Sequence, residues 1–141
     1  MQRPDIEALL IRSYATVVGR DLVHDAGSSP LYDAPAVVLM HGTQSDPVFC
    51  FANRTAQELW GYTWDEFITL PSRLSAQAEL QADRERLLAR AREKGFIDDY
   101  AGIRIAKDGR RFRISDVVLW NVVVDGVRHG QAAVFRTWTL L

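Results

Sequence analysis

Three histidines, one cysteine and a scatter of carboxylates are the side chains of this 141-residue chain best suited to chemistry. A metal site needs such groups at close, repeated spacing, and His24, His41 and His129 each stand apart from any such pairing. His24 falls at the expected end of a helix, His41-Gly42 at the end of a strand and His129-Gly130 beside a hairpin, so turn or surface roles are expected for all three. Cys50 would suit redox sensing or a covalent adduct, both of which need an accessible thiolate. It lies inside the apolar run VFCFA, where burial raises a thiol pKa and blocks access, so a structural thiol is expected. Asp98-Asp99, Asp5 and Asp116 offer carboxylates for acid–base work, but no spacing sets any of them against a partner. Arg110, Arg111 and Arg113 beside Lys107 could touch phosphate, although a hairpin turn naturally places such charges in solvent. There is no nucleophile elbow, glycine-rich phosphate loop or metal-ligand cluster. No catalytic residue and no metal ligand are therefore assigned.

The aromatic residues make a different offer. Trp60, Trp64, Trp120 and Trp138, with Phe49, Phe67, Tyr100 and Phe135, could fill a core or wall a cavity for a flat organic molecule, and both uses need the same rings. Composition narrows the rest. Seventeen basic and eighteen acidic residues give a formal charge of −1, which provides no global field for nucleic acid or an acidic membrane surface. The start MQRPDIEALL has no targeting pattern and no stretch is long and apolar enough for a membrane helix. A lone cysteine excludes an internal disulfide framework and a cysteine-rich zinc site, which agrees with a reducing, cytoplasmic setting.

The elements that would position these residues follow from periodicity. Ile6, Leu9, Leu10, Tyr14, Val17 and Val18 recur at helical spacing, so one amphipathic helix is expected from about Pro4 to His24. Two readings of its stripe stay open: packing on its own domain, or a seam for a partner or second copy through Ile6, Leu9, Leu10, Tyr14 and Val17. Asp25 to Pro30 reads as a linker, dividing the chain into residues 1–30 and a domain of residues 31–141. Ala36 to Met40 and Val48 to Ala52 read as buried strands. Asn53, or a box of Thr55 and Glu58, caps a short helix that Gly61 closes; Thr63 and Glu66 cap another that Pro71 ends. Gln77 to Lys94 is expected as a helix with Leu80, Leu87, Leu88 and Ala91 inward and a solvated charged face. Tyr100–Ala106, Arg111–Val124 and Val127–Trp138 form a meander joined by Asp108-Gly109 and Asp125-Gly126. In its middle strand Phe112, Ile114, Val118, Trp120 and Val122 share one parity, which predicts one apolar face covered by helices and one wetter face. Asp116 and Leu119 break the pattern, pointing to a bulge between them.

The segment VFCFANRTAQELWGYTWDEF resembles the start of the PAS fold, through Asn53, Ala56, Leu59, Gly61, Tyr62, Glu66 and Phe67. Together with LPSRLSA, GFIDDYAGIRIAKDGRRFRI, VLW and GQAAVF, it is similar to the MEKHLA domain, a PAS-related family found among small bacterial proteins, across residues 36 to 140. The resemblance implies an α+β, PAS-like five-stranded antiparallel sheet with helices inserted between strands 2 and 3, preceded here by the N-terminal amphipathic helix. It also implies a sensory or interaction module that binds a small organic ligand or a protein partner and signals through dimerisation or docking. Trp60 and Trp120 lead the ligand candidates, because the central strand and the short helix above it enclose the usual PAS ligand space. Trp64, Phe67, Tyr100 and Phe135 join them as walls, and Arg73, Asn121 and Gln131 as polar contacts. Light-sensing flavin relatives carry their cysteine in an Asn-Cys-Arg-Phe-Leu-like motif after the helices; no such motif occurs here, so a flavin adduct is not expected, and haem is not expected because no histidine lies on a helix facing the sheet. The alternatives are a small cone-fold isomerase or dehydratase, and a ligand-free scaffolding domain.

Overall fold

In a computed structural model, which describes residues 1–77 and 81–141, alternating apolar residues build six strands: β1 (Val37–His41), β2 (Phe49–Ala52), β3 (Phe96–Ile105), β4 (Arg111–Val124), β5 (Val127–Phe135) and β6 (Thr137–Leu140). They form one antiparallel sheet in the order β2-β1-β5-β4-β3, with β6 also pairing to β4. Helices α3 (Arg54–Trp60), α4 (Trp64–Phe67) and α5 (Gln81–Lys94) lie between β2 and β3 in the chain, the arrangement expected from the sequence. Leu80 and the side chain of Leu88 lie outside the described residues.

The fifth expected strand is two strands. The run Val127–Trp138 breaks at Arg136, after which β6 pairs Thr137 to Leu140 with Ser115 to Phe112 of β4. The cause is Asp116, held at φ +53°, a conformation that Asp and Asn accept more readily than other side-chain-bearing residues. Before it, Phe112 and Ile114 face the core under α3 and α4; after it, Val117 faces that core while Val118, Trp120 and Val122 turn to the opposite face. The expected irregularity is present as a shift of the β3–β4 register around Asp116, between the pairs Gly102–Ile114 and Tyr100–Val117, and its effect is a change of faces. β5 and β6 make the same change: Val134 points to one side while Phe135 and Trp138 pack on the other.

That change corrects the expectation of one covered face. Both faces are covered, because the N-terminal residues close the second one. The single helix expected over residues 4–24 is broken into α1 (Arg3–Ser13), a π-helical turn at Tyr14–Val18, and α2 (Leu22–Ala26). Gly19 at φ +81° ends the first part, and the Asp21 carboxylate restarts the helix by accepting from the Val23 and His24 amides. Ile6, Leu10 and Tyr14, expected as a stripe for either use, are buried against Val118, Trp120 and Val122. Own-domain packing thus takes the stripe, and a partner seam through these three is ruled out while they are so buried; Leu9 and Val17 are half-buried against the same core. Each large apolar side chain so buried contributes about 1.5–3 kcal/mol. Nor do Asp25 and Ala26 form a loose linker: they end α2, and the buried Ala26 accepts a hydrogen bond from Ala36 N at 3.1 Å.

Two polar contacts fasten the N-terminal segment. The Trp120 indole donates to Ser13 Oγ at 2.9 Å, and the Tyr14 hydroxyl donates to Asp25 at 2.5 Å while accepting from Arg20 at 3.0 Å. Burial, then the hydrogen bond to Asp25, push the Tyr14 hydroxyl up to about 12. A folded-state pKa above the unfolded one contributes stability in full below about pH 10, and loses it as pH rises through the folded value. Tyr14→Phe is expected to lower the thermal midpoint at neutral pH and to flatten the alkaline decline between about pH 10 and 12. Unfolding curves of both proteins across that interval, with phenolate absorbance as the titration readout, check the prediction.

Candidate functional site

Asn121 on β4 lies directly opposite Gln131 on β5, and Gln131 in turn opposite His41 on β1. Alternation puts all three on the α3–α5 face, because their neighbours two residues away, Leu119, Ala133 and Leu39, pack into that core. The three are half-buried. They form a polar row crossing three strands, about 10 Å from end to end at the usual strand spacing. Neither the Asn121 nor the Gln131 amide group makes a side-chain hydrogen bond to another described residue, while the His41 ring contacts the Gly42 carbonyl at 3.0 Å. An amide carries both donor and acceptor groups, so the row can bind the mixed donor–acceptor edge of a flat heterocycle. Behind it, Leu87 and Ala91 of α5 join Ile97 and Tyr100 in the same apolar cluster.

Seven of the nine expected aromatic and polar candidates belong elsewhere or have other work. Trp120 points to the opposite face, where its ring meets Tyr14 edge-on at 4.7 Å; the change of faces at Asp116 separates it from Trp60. Trp64 also packs toward the N-terminal side, against Phe51 and Tyr32, with the Arg3 guanidinium 5.5 Å from its ring centre. Arg73 is an exposed residue whose guanidinium nitrogen lies 3.2 Å from each Asp46 carboxylate oxygen. Trp60 is on the right face but fully buried, edge-on to Phe67, Phe112 and Phe135, with its indole N–H given to the Ser75 carbonyl at 3.2 Å. It is a core residue, and Phe67 and Phe135 form that core with it. Tyr100 is buried on the same face and accepts from Arg104 at 3.3 Å.

Cys50 turns toward the N-terminal core, away from the row, and burial pushes its thiol up to about 11. A thiol so protonated at neutral pH is a poor nucleophile. Asp98 and Asp99 are exposed, with Asp99 paired to Arg90, and Arg110 pairs with Asp108 and the Leu59 carbonyl. No group of three His, Cys, Asp or Glu among the described residues could hold a metal ion. His41 is the site residue the sequence misses, since local pattern reads it as the end of a strand. Its place in the row comes from the pairing of β1 with β5, ninety residues apart in register (His41 with Gln131), which no local signal reports.

A family model for the MEKHLA domain matches residues 5–140. The chain belongs to the MEKHLA domain family. This MEKHLA domain finds no match among curated proteins, but its fold recurs in solved structures. A PAS domain from Colwellia psychrerythraea is similar at 13% identity and TM-score 0.57, covering 77% of this chain and 87% of that one. A PAS domain from a two-component sensor histidine kinase matches at 14% identity and TM-score 0.57, over 79% and 89%. The light-state dimer of the fungal blue-light photoreceptor Vivid matches at 13% identity and TM-score 0.56, over 72% and 77%. The MEKHLA domain therefore has the α+β PAS fold, with six strands in place of the expected five, and not the cone fold of the enzymatic alternative. Among the described residues, no helix is long and apolar enough to cross a membrane.

Proposed function

We propose that this MEKHLA domain is a sensory module that holds a small, flat organic ligand on the His41–Gln131–Asn121 row and reports occupancy through its N-terminal segment. One observation carries the proposal: two half-buried amides stand side by side with unused hydrogen-bonding capacity on the face beneath the helices. Half-buried polar groups without protein partners are poised for water or a ligand. The route outward is short. Trp120 follows Leu119 and precedes Asn121, and its indole holds Ser13 on the other face, so a shift of β4 at the ligand is felt by α1. A ligand acts only through differential binding to two states; here the states differ in how firmly α1 rests on Trp120. Ile11, 36% exposed on α1, is part of the outward surface on which a partner or second copy reads that change.

Native mass spectrometry of the purified protein, together with its absorption spectrum, tests the reading. The expected result is one bound small molecule per chain, lost from an Asn121→Leu/Gln131→Leu variant that remains folded. Removing both amides is expected to weaken binding roughly tenfold or more. A wild-type protein with no bound molecule, or a variant that retains it fully, contradicts the reading.

A further inference from the structure

On the sheet face opposite the polar row, where the strands change faces, lies a cleft of about 350 Å³. That is the lower end of the range of about 300–1,000 Å³ for small-molecule sites. One wall comes from the N-terminal segment, with Arg20, His24 and Asp25, and the other from the sheet, with Asp116, Arg136 and Thr137. Val118 and Val134 give it an apolar floor.

Most of the polar groups in the cleft have protein partners, and those partners leave a defined remainder. Asp25 takes the Tyr14 hydroxyl and Arg20. Arg136 donates to the Asp25 and His24 carbonyls at 2.9 and 3.3 Å. The outer N–H groups of both guanidiniums remain. So does the Asp116 carboxylate, which accepts no hydrogen bond and meets no cation among the described residues. By register Asp116 stands opposite Arg136, in the unpaired step between Val118–Val134 and Ser115–Thr137, on strands about 5 Å apart. The backbone conformation does not account for the charge at 116, since Asn accepts a left-handed φ as readily as Asp.

We propose that this cleft is a second ligand site, for a small zwitterion of the amino-acid type. The carboxylate of the ligand accepts from Arg136 and Arg20, its ammonium group donates to Asp116, and a short apolar side chain rests on Val118 and Val134. A simple anion would meet Asp116 and a simple amine would meet two guanidiniums, so the full complement requires both charges on one molecule. A zwitterion held there bridges the N-terminal segment to the sheet and keeps α2 docked.

Isothermal titration with L-valine, isovalerate and isobutylamine, together with amide-shift mapping, tests the site. L-valine is expected to bind roughly tenfold or more tightly than either half-ligand, with shifts centred on His24 and Thr137. Asp116→Asn is expected to keep the fold and bring L-valine down to the level of isovalerate, while Asn121→Leu/Gln131→Leu still prefers L-valine to isovalerate by roughly tenfold or more. The last result separates this site from the polar row. Equal binding of isovalerate or isobutylamine, an unaffected Asp116→Asn variant, shifts centred on Asn121 and Gln131, or no binding by any of the three overturns the proposal.

Discussion

Asn53→Asp is expected to lower the thermal midpoint by on the order of 10–15 °C at neutral pH, a loss of about 3–5 kcal/mol. Asn53 is fully buried and uses its whole amide. Its oxygen accepts from Val38 N and Ala56 N, both at 3.1 Å, and its nitrogen donates to the Leu31 and Ala36 carbonyls at 3.1 and 2.8 Å. One side chain thus caps α3 and ties β1, α3 and the turn at Leu31 together. A carboxylate has the same shape but donates nothing, so two carbonyls would face a buried negative charge. Desolvation and those carbonyls raise the pKa of the new acid above its unfolded value. The penalty is therefore smallest in acid, where the group is protonated, and grows as pH rises through the folded pKa. Thermal melts of both proteins across acidic and neutral pH check the size and the sign.

Gly130→Ala is expected to be at least as damaging, costing more than about 4 kcal/mol. A Cβ built on Gly130 would lie 1.9 Å from the His41 carbonyl oxygen. That oxygen belongs to β1, paired with β5 throughout its length, so neither strand can yield without opening the sheet at the row that holds His41 and Gln131. Gly109→Ala is the control. No atom lies within 4 Å of its Cβ, and only its left-handed φ of +87° opposes the change, at a cost of about 1–2 kcal/mol. Urea titrations should move the Gly130→Ala midpoint far below that of Gly109→Ala, or give no folded Gly130→Ala protein at all.

The parts legible in the sequence were those written in local spacing. The Asn53 cap, the left-handed Gly61 and the Thr63–Glu66 capping box all occur as their positions predict. The same local reading stops at Asp116. Parity in β4 puts Trp120 with Phe112 and Ile114, because alternation assumes an unbroken strand; one residue at φ +53° moves it to the other face. Trp120 thereby changes from a candidate pocket wall into the anchor of α1. The N-terminal stripe was visible as an apolar periodicity, but its occupant depended on knowing that the second sheet face is apolar. Asn121 and Gln131 have no local distinction at all. They become a pair only when β4 meets β5, and His41 joins them only through β1. The helix-initiating residues were legible because their partners lie within four positions, and the site was less so because it is assembled across strands.

The most direct test of communication between the two faces is the indole N–H resonance of Trp120, assigned by its loss in Trp120→Phe. It is recorded for the protein as purified and again after the bound molecule has been stripped by unfolding and refolding. Coupling of the polar row to α1 requires that the Trp120 resonance moves between the two samples, and that the Asn121→Leu/Gln131→Leu variant shows the stripped position before any treatment. A Trp120 resonance at one position in all three samples would contradict it.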